Sequence, residues 1–149
     1  MTYKFNGASI DYNVTKTIVI TDFPNQAPLV YPPLEQRFNE ELKDLFTRST
    51  RLQFVKQNAD LEMEGEIIGY ELTPLAVQED SFASETRLTL TVRMRYKNNI
   101  ALGQDKEETI SAYRNFPADR MLTDVQDQLI GELTKEIVDQ IFNSTMSNW

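Results

Sequence analysis

The stretch TRLTLTVRMRYKN, from Thr86 to Asn98, constrains the fold more than any other part of the chain. Leu88, Leu90, Val92, Met94 and Tyr96 alternate with Arg87, Thr89, Thr91, Arg93 and Arg95. A period of two puts the apolar set on one face of a strand and the polar set on the other. A sheet built on such a strand needs a covering layer on one side only. Its other side must meet water or a polar partner.

Two segments supply the cover. Leu34, Phe38, Leu42, Leu45 and Phe46 recur at helical spacing between Leu34 and Arg48, with Glu35, Arg37, Glu40, Glu41, Lys43 and Asp44 around them. Pro33 suits the first turn, where its missing N–H is not needed. Near the C-terminus Val125, Leu129, Leu133, Ile137 and Ile141 repeat every four residues, flanked by Ile130, Val138 and Phe142. Thr123, with Gln126 three residues later, fits a capping box. This second helix is expected to end near Met146.

The remaining runs read as strands. KTIVIT (Lys16–Thr21) is β-branched and apolar. Thr50–Gln57 alternates, and so does Ala59–Thr73, where Leu61, Met63, Gly65 and Ile67 oppose Glu62, Glu64 and Glu66. Ile68, Tyr70 and Leu72 shift the apolar phase, which marks Gly69 as a bulge. Pro74 is expected to end that strand, and a long hairpin loop follows to Glu85. Lys106–Phe116 is a last, more polar strand. The opening TYKFNGA reads as a short strand with Tyr3 and Phe5 on one face, and Trp149 as a side chain tucked against neighbouring structure. The order is β–α–β–β–β–β–α, the α+β class: one mixed β-sheet with two α-helices packed on one face. Four of the six prolines, Pro24, Pro28, Pro32 and Pro33, fall in the connection between the first strand and first helix. They hold that crossover extended and lower the entropy cost of ordering it.

At 149 residues the chain suits a single domain spanning residues 1–149. It has no cysteine and no histidine, so thiol nucleophiles, Ser-His-Asp and HExxH arrangements and Cys-based zinc sites are excluded. The net charge of −8 argues against nucleic acid, which needs a basic face, and against broad docking on an anionic membrane. No apolar run approaches the roughly 20 residues of a membrane-spanning helix. Met1 is either a native start or the start of a shortened chain.

The uncovered face of the sheet is expected to carry Glu62, Glu64, Glu66, Arg87, Thr89, Thr91, Arg93, Arg95, Thr109, Ser111 and Tyr113, with the acidic strand beside the basic one. Read conservatively, this is a solvated face with ordinary charge pairing. Read more sharply, it is a platform for a polar partner. Regular i, i+2 spacing spreads the glutamates along a line, which disfavours a Ca²⁺ site or a carboxylate-based hydrolase. No catalytic residue, metal ligand or cofactor is assigned.

YKFNGASI, DFPNQAPLVYPPLEQRFNEELKDLF, DLEMEGEIIGYELTPLAV, RLTLTVRMRY and IFNSTMSNW together resemble the LptE-type lipopolysaccharide-assembly lipoprotein family, and its Bacteroidetes branch most of all. The resemblance covers the whole chain in order, and Phe23–Phe46 is its most specific part. It implies a non-enzymatic, exported lipoprotein of the outer membrane, at its periplasmic face, anchored through a lipid-carrying cysteine ahead of this segment. Met1 would then open a shortened chain. It implies a plug within the large β-barrel of the lipopolysaccharide-export machine (LptD type), supporting barrel assembly and contacting lipopolysaccharide. Phosphates on that ligand call for Arg or Lys. The candidates for lipopolysaccharide or partner contact are Arg87, Arg93, Arg95, Lys97, Arg114 and Arg120. The Pro74–Glu85 loop holds no Lys or Arg and, besides Glu85 itself, two acids, Glu79 and Asp80, which weighs against lipid binding there. The rival reading is a lipid- or glycan-binding periplasmic lipoprotein module that works alone.

Overall fold

A computed structural model describes residues 10–75 and 84–146. Its elements are β1 (Thr17–Ile20), α1 (Pro32–Ser49), β2 (Gln53–Phe54), β3 (Leu61–Leu75), β4 (Glu85–Asn98), β5 (Lys106–Pro117) and α2 (Leu122–Met146). They form one five-stranded mixed sheet in the order β2-β1-β3-β4-β5. β1 runs parallel to β2 and β3, while β3, β4 and β5 form an antiparallel meander. The expected α+β plan holds. The short strand at Tyr3 and Phe5, the side chain of Trp149 and most of the Pro74–Glu85 loop lie outside the described residues.

Both helices share one core with the inner face of the sheet. Leu34, Phe38, Leu42 and Phe46 of α1 and Leu129, Ile130, Leu133, Ile137, Val138 and Ile141 of α2 pack with Ile18, Leu61, Met63, Ile67, Leu88, Leu90, Val92 and Met94. Each buried aliphatic or aromatic side chain contributes about 1.5–3 kcal/mol. The helices meet directly where the Phe46 and Phe142 rings pack edge-on, 5.1 Å between centroids. The Arg37 guanidinium crosses α2 at Gly131 and donates to the Asp127 carbonyl oxygen at 2.9 Å.

The proline-rich crossover is part of the sheet's edge. Thr21 N–H donates to Met63 O (2.9 Å), Ile67 N–H to Pro24 O (2.8 Å) and Gln26 N–H to Ile67 O (2.8 Å). The segment thus continues the line of β1 alongside β3. Phe23 drops into the core against Phe38, with ring centroids 5.3 Å apart. Asn39, buried in α1, holds the Phe23 backbone at both ends: Oδ1 accepts its N–H at 2.7 Å and Nδ2 donates to its carbonyl at 2.9 Å. The Phe23 ring lies over Gly65, where a Cβ would stand 2.5 Å from Phe23 Cε2 and 2.1 Å from Arg93 O. That close approach is why glycine interrupts the apolar run of β3.

Four expectations are corrected. The Thr50–Gln57 strand shrinks to Gln53–Phe54, because it pairs only with the four-residue β1 and then turns at Asn58, whose φ is +57°. Pro74 does not end β3, which runs on to Leu75 with Pro74 opposite Thr86. Ile67 sends its N–H and C=O to the crossover, so by alternation along β4 the backbone of Tyr70, Leu72 and Pro74 also points to that side. No strand covers it there among the described residues, so the missing N–H of proline breaks no ladder bond. α1 begins two residues early, with Pro32 and Pro33 both in its first turn. Thr123 is no cap, since α2 already starts at Leu122; Gln126 is buried instead and accepts from the Tyr70 hydroxyl at 2.5 Å. The bulge is present: the register slips between Ile67 and Gly69, leaving Ile68 unpaired.

Candidate partner-binding face

The face of the sheet opposite the helices is built by three long strands in register. Glu62, Glu64 and Glu66 of β3 stand opposite Lys97, Arg95 and Arg93 of β4. On the other side of β4, Arg93, Thr91, Thr89 and Arg87 stand opposite Thr109, Ser111, Tyr113 and Asn115 of β5. The expected adjacency of acidic and basic strands is therefore realised pair by pair.

Most of these charges are engaged within the face. Arg95 donates through Nη1 and Nη2 to the two oxygens of Glu66, at 3.0 and 2.7 Å, and through Nε to Glu64 at 3.1 Å. Arg93 Nη1 lies 3.9 Å from the same Glu66 carboxylate. The Glu66 side chain is only 12% exposed, and the Arg95 guanidinium beside it holds its carboxyl below the ordinary range. Arg87 Nε donates to Asn115 Oδ1 at 3.0 Å, and its guanidinium stacks 4.0 Å above the Tyr113 ring. Thr91 and Ser111 hydroxyls bond each other at 2.9 Å, and Glu62 accepts from Asn99 Nδ2 at 2.7 Å. The exposed Lys97 borders a groove of about 420 Å³ with Val19, Thr21, Glu62, Glu64 and Arg95.

The face does not gather all six candidate cations. Arg87, Arg93, Arg95 and Lys97 form one row along β4. Arg114 points the other way, because Thr109, Ser111 and Tyr113 take the outer positions of β5. Its Nε and Nη1 donate to Glu132 and Glu136 of α2 at 3.0 and 2.8 Å, so it ties strand to helix. Arg120 sits in the exposed turn between β5 and α2. Glu71 and Thr73 also reach the outer face, opposite Thr89 and Arg87, because the Ile68 bulge restores outward phase beyond it. The shift at Gly69 was the sequence signal for them; Glu107 and Asn115 follow from the alternation of β5. Among the described residues no three Asp or Glu side chains are grouped to hold a metal ion.

A family model described as LptE, lipopolysaccharide-assembly, matches residues 15–145. The chain belongs to this family. LptE proteins are non-enzymatic lipoproteins that act with the lipopolysaccharide-export machinery. Three solved structures share the fold. A minor lipoprotein from Acinetobacter baumannii is 15% identical, with a TM-score of 0.55 over 87% of this chain and 91% of its own. Lipoprotein B from Nitrosomonas europaea is 20% identical, with a TM-score of 0.57 over 95% and 88%. Rare lipoprotein B from Shewanella oneidensis is 16% identical, with a TM-score of 0.53 over 85% and 92%. No curated protein matches the sequence. The LptE assignment thus comes from the sequence model, and the lipoprotein structures add the shared architecture.

Proposed function

We propose that this LptE-family chain is an outer-membrane lipoprotein subunit, held at the periplasmic face, that sits as a plug within an LptD-type lipopolysaccharide-export β-barrel. There it supports assembly of the barrel and touches lipopolysaccharide on its way out. The far face of the sheet carries this reading. Its arginines are matched by its own glutamates and amides, so it offers a hydrogen-bonding surface with little unbalanced charge. The interior wall of a large barrel is polar and offers the matching donors and acceptors. Co-expression with the barrel of the same organism is expected to give a stable one-to-one complex; failure to co-purify overturns the proposal.

The exposed Lys97 groove favours a second reading, a stand-alone lipid- or glycan-binding module. It requires lipopolysaccharide binding by the isolated domain that weakens in Arg93→Glu or Arg95→Glu. Unchanged binding in both variants removes it. The two glutamates on Arg95 weigh against it, since a phosphate must displace them.

A further inference from the structure

The end of the molecule where the described chain begins carries an aliphatic cluster that the polar face does not use. Ile10 and Val14, ahead of β1, line a cavity of about 280 Å³ together with Ile100 and Ala101 of the β4–β5 turn. Val14 is 55% exposed, Ile100 44% and Leu102 93%. The turn is held rather than loose. Asn98 Oδ1 accepts from Ile100 N–H and Ala101 N–H at 2.9 and 2.8 Å, and Asp105 Oδ1 accepts from Asn98 N–H at 2.9 Å. It also stands clear of the body: Gly103, at φ +85°, has no neighbouring atom within 4 Å of where a Cβ would be. One exposed leucine is ordinary on a protein surface. Three exposed aliphatic residues at one end, one of them on a braced projecting tip, are not explained by the core or by the sheet face.

We propose that this tip, with Val14 beside it, dips into the interfacial layer of the bilayer next to the chain's lipid anchor. The proposal rests on the lipoprotein reading above. On that reading the anchor lies on the N-terminal side of the domain, so the membrane is approached from the end where β1 begins and β4 turns into β5, rather than from the Leu75 and Glu85 end. The exposed side chains are aliphatic and project from a turn. That geometry suits fluid acyl chains, whereas a shaped protein pocket selects rigid aromatic anchors. With a net charge of −8 the chain is repelled by anionic headgroups, so a zwitterionic surface is the fitting one. A contact of three side chains is weak by itself and acts through the high local concentration that a tether provides.

The absence of cysteine permits a clean test. The chain is fixed through an N-terminal histidine tag to phosphatidylcholine vesicles containing a nickel-chelating lipid. An environment-sensitive fluorophore is placed at Ala101→Cys or, as control, at Asp119→Cys beyond the opposite end of β5. Both positions are exposed, so neither substitution disturbs packing. The probe at 101 is expected to shift to the blue, gain emission and be quenched by spin-labelled lipid. The probe at 119 stays aqueous, and adding Leu102→Glu abolishes the response at 101. An aqueous signal at 101, equal signals at both positions, or a response at 101 that survives Leu102→Glu overturns the proposal. The artificial tether replaces the native anchor, so this outcome is independent of the lipoprotein reading. That reading is tested separately, by fatty-acid incorporation into the protein expressed from its natural gene.

Discussion

Asn39 shows how much one polar side chain does in this core. Its amide satisfies both backbone groups of Phe23 and also donates to Glu35 O at 2.8 Å. Asn39→Ala leaves the Phe23 N–H and C=O buried without partners. The expected cost is about 2–4 kcal/mol, read as a lower urea midpoint with unchanged slope. Two glycines make opposite predictions. Gly65→Ala drives a methyl into the Arg93 carbonyl and the Phe23 ring, neither free to move, and is expected to destabilise by on the order of 3 kcal/mol. Gly131→Ala meets only the Arg37 Nη2 end at 2.7 Å, a flexible group that can swing away. The helix-propensity gain of about 1 kcal/mol offsets the lost Arg37 contacts, so its unfolding midpoint should stay close to wild type.

The β3–β4 pair carries a pH-sensitive contact. Hydrogen bonds from Arg95 depress the Glu66 carboxyl below its ordinary 4.5. A depressed carboxyl contributes stability that is complete above about 4.5 and is lost as pH falls through the lower folded value. Asp60 is also depressed, first by the Lys16 backbone N–H, and Glu132 is depressed, first by the Gln128 amide. All three lose their contribution on the acid side. Glu66→Gln keeps the shape and removes the charge. The difference in Tm between wild type and this variant is expected to be largest at neutral pH and to close as the medium is acidified. A gap independent of pH would mean that the Glu66–Arg95 pair does not shift between folded and unfolded states.

At the scale of the whole molecule the division of faces matters most. Helices take one side of the sheet, and among the described residues no helix or strand covers the other. If the barrel wall lies against that other side, charge and bulk at its centre must break the complex. Thr91→Arg with Ser111→Arg replaces the bonded hydroxyl pair by two unmatched cations and is expected to abolish co-purification with the barrel. Gln128→Arg, on the exposed side of α2, is expected to leave it intact. Circular dichroism of both variants checks that the fold survives.

The alternation of Thr86–Asn98 determined by itself that the sheet has one wet and one dry face, and the helical stripes determined what covers the dry one. Those are local properties, set by the direction each side chain leaves the backbone. The same logic placed Glu64 and Arg95 on one face before any pairing was known. Boundaries read less well. Pro74 looked like a stop because its cost depends on whether a neighbouring strand needs its N–H, and that neighbour is distant in sequence. Thr123 looked like a cap because the pattern fits, while the core claimed Gln126 for Tyr70. Arg114 looked like its basic neighbours on β4, yet strand parity and the passage of α2 turned it to Glu132 and Glu136. The prolines of Asp22–Gln36 signalled a restrained crossover. Only the tertiary structure made that segment a continuation of β1 along β3, because its hydrogen-bond partners, Met63 and Ile67, lie some forty residues further along the chain. Which charges meet, and which remain for a partner, is decided by register between strands, and register is a property of the assembled sheet.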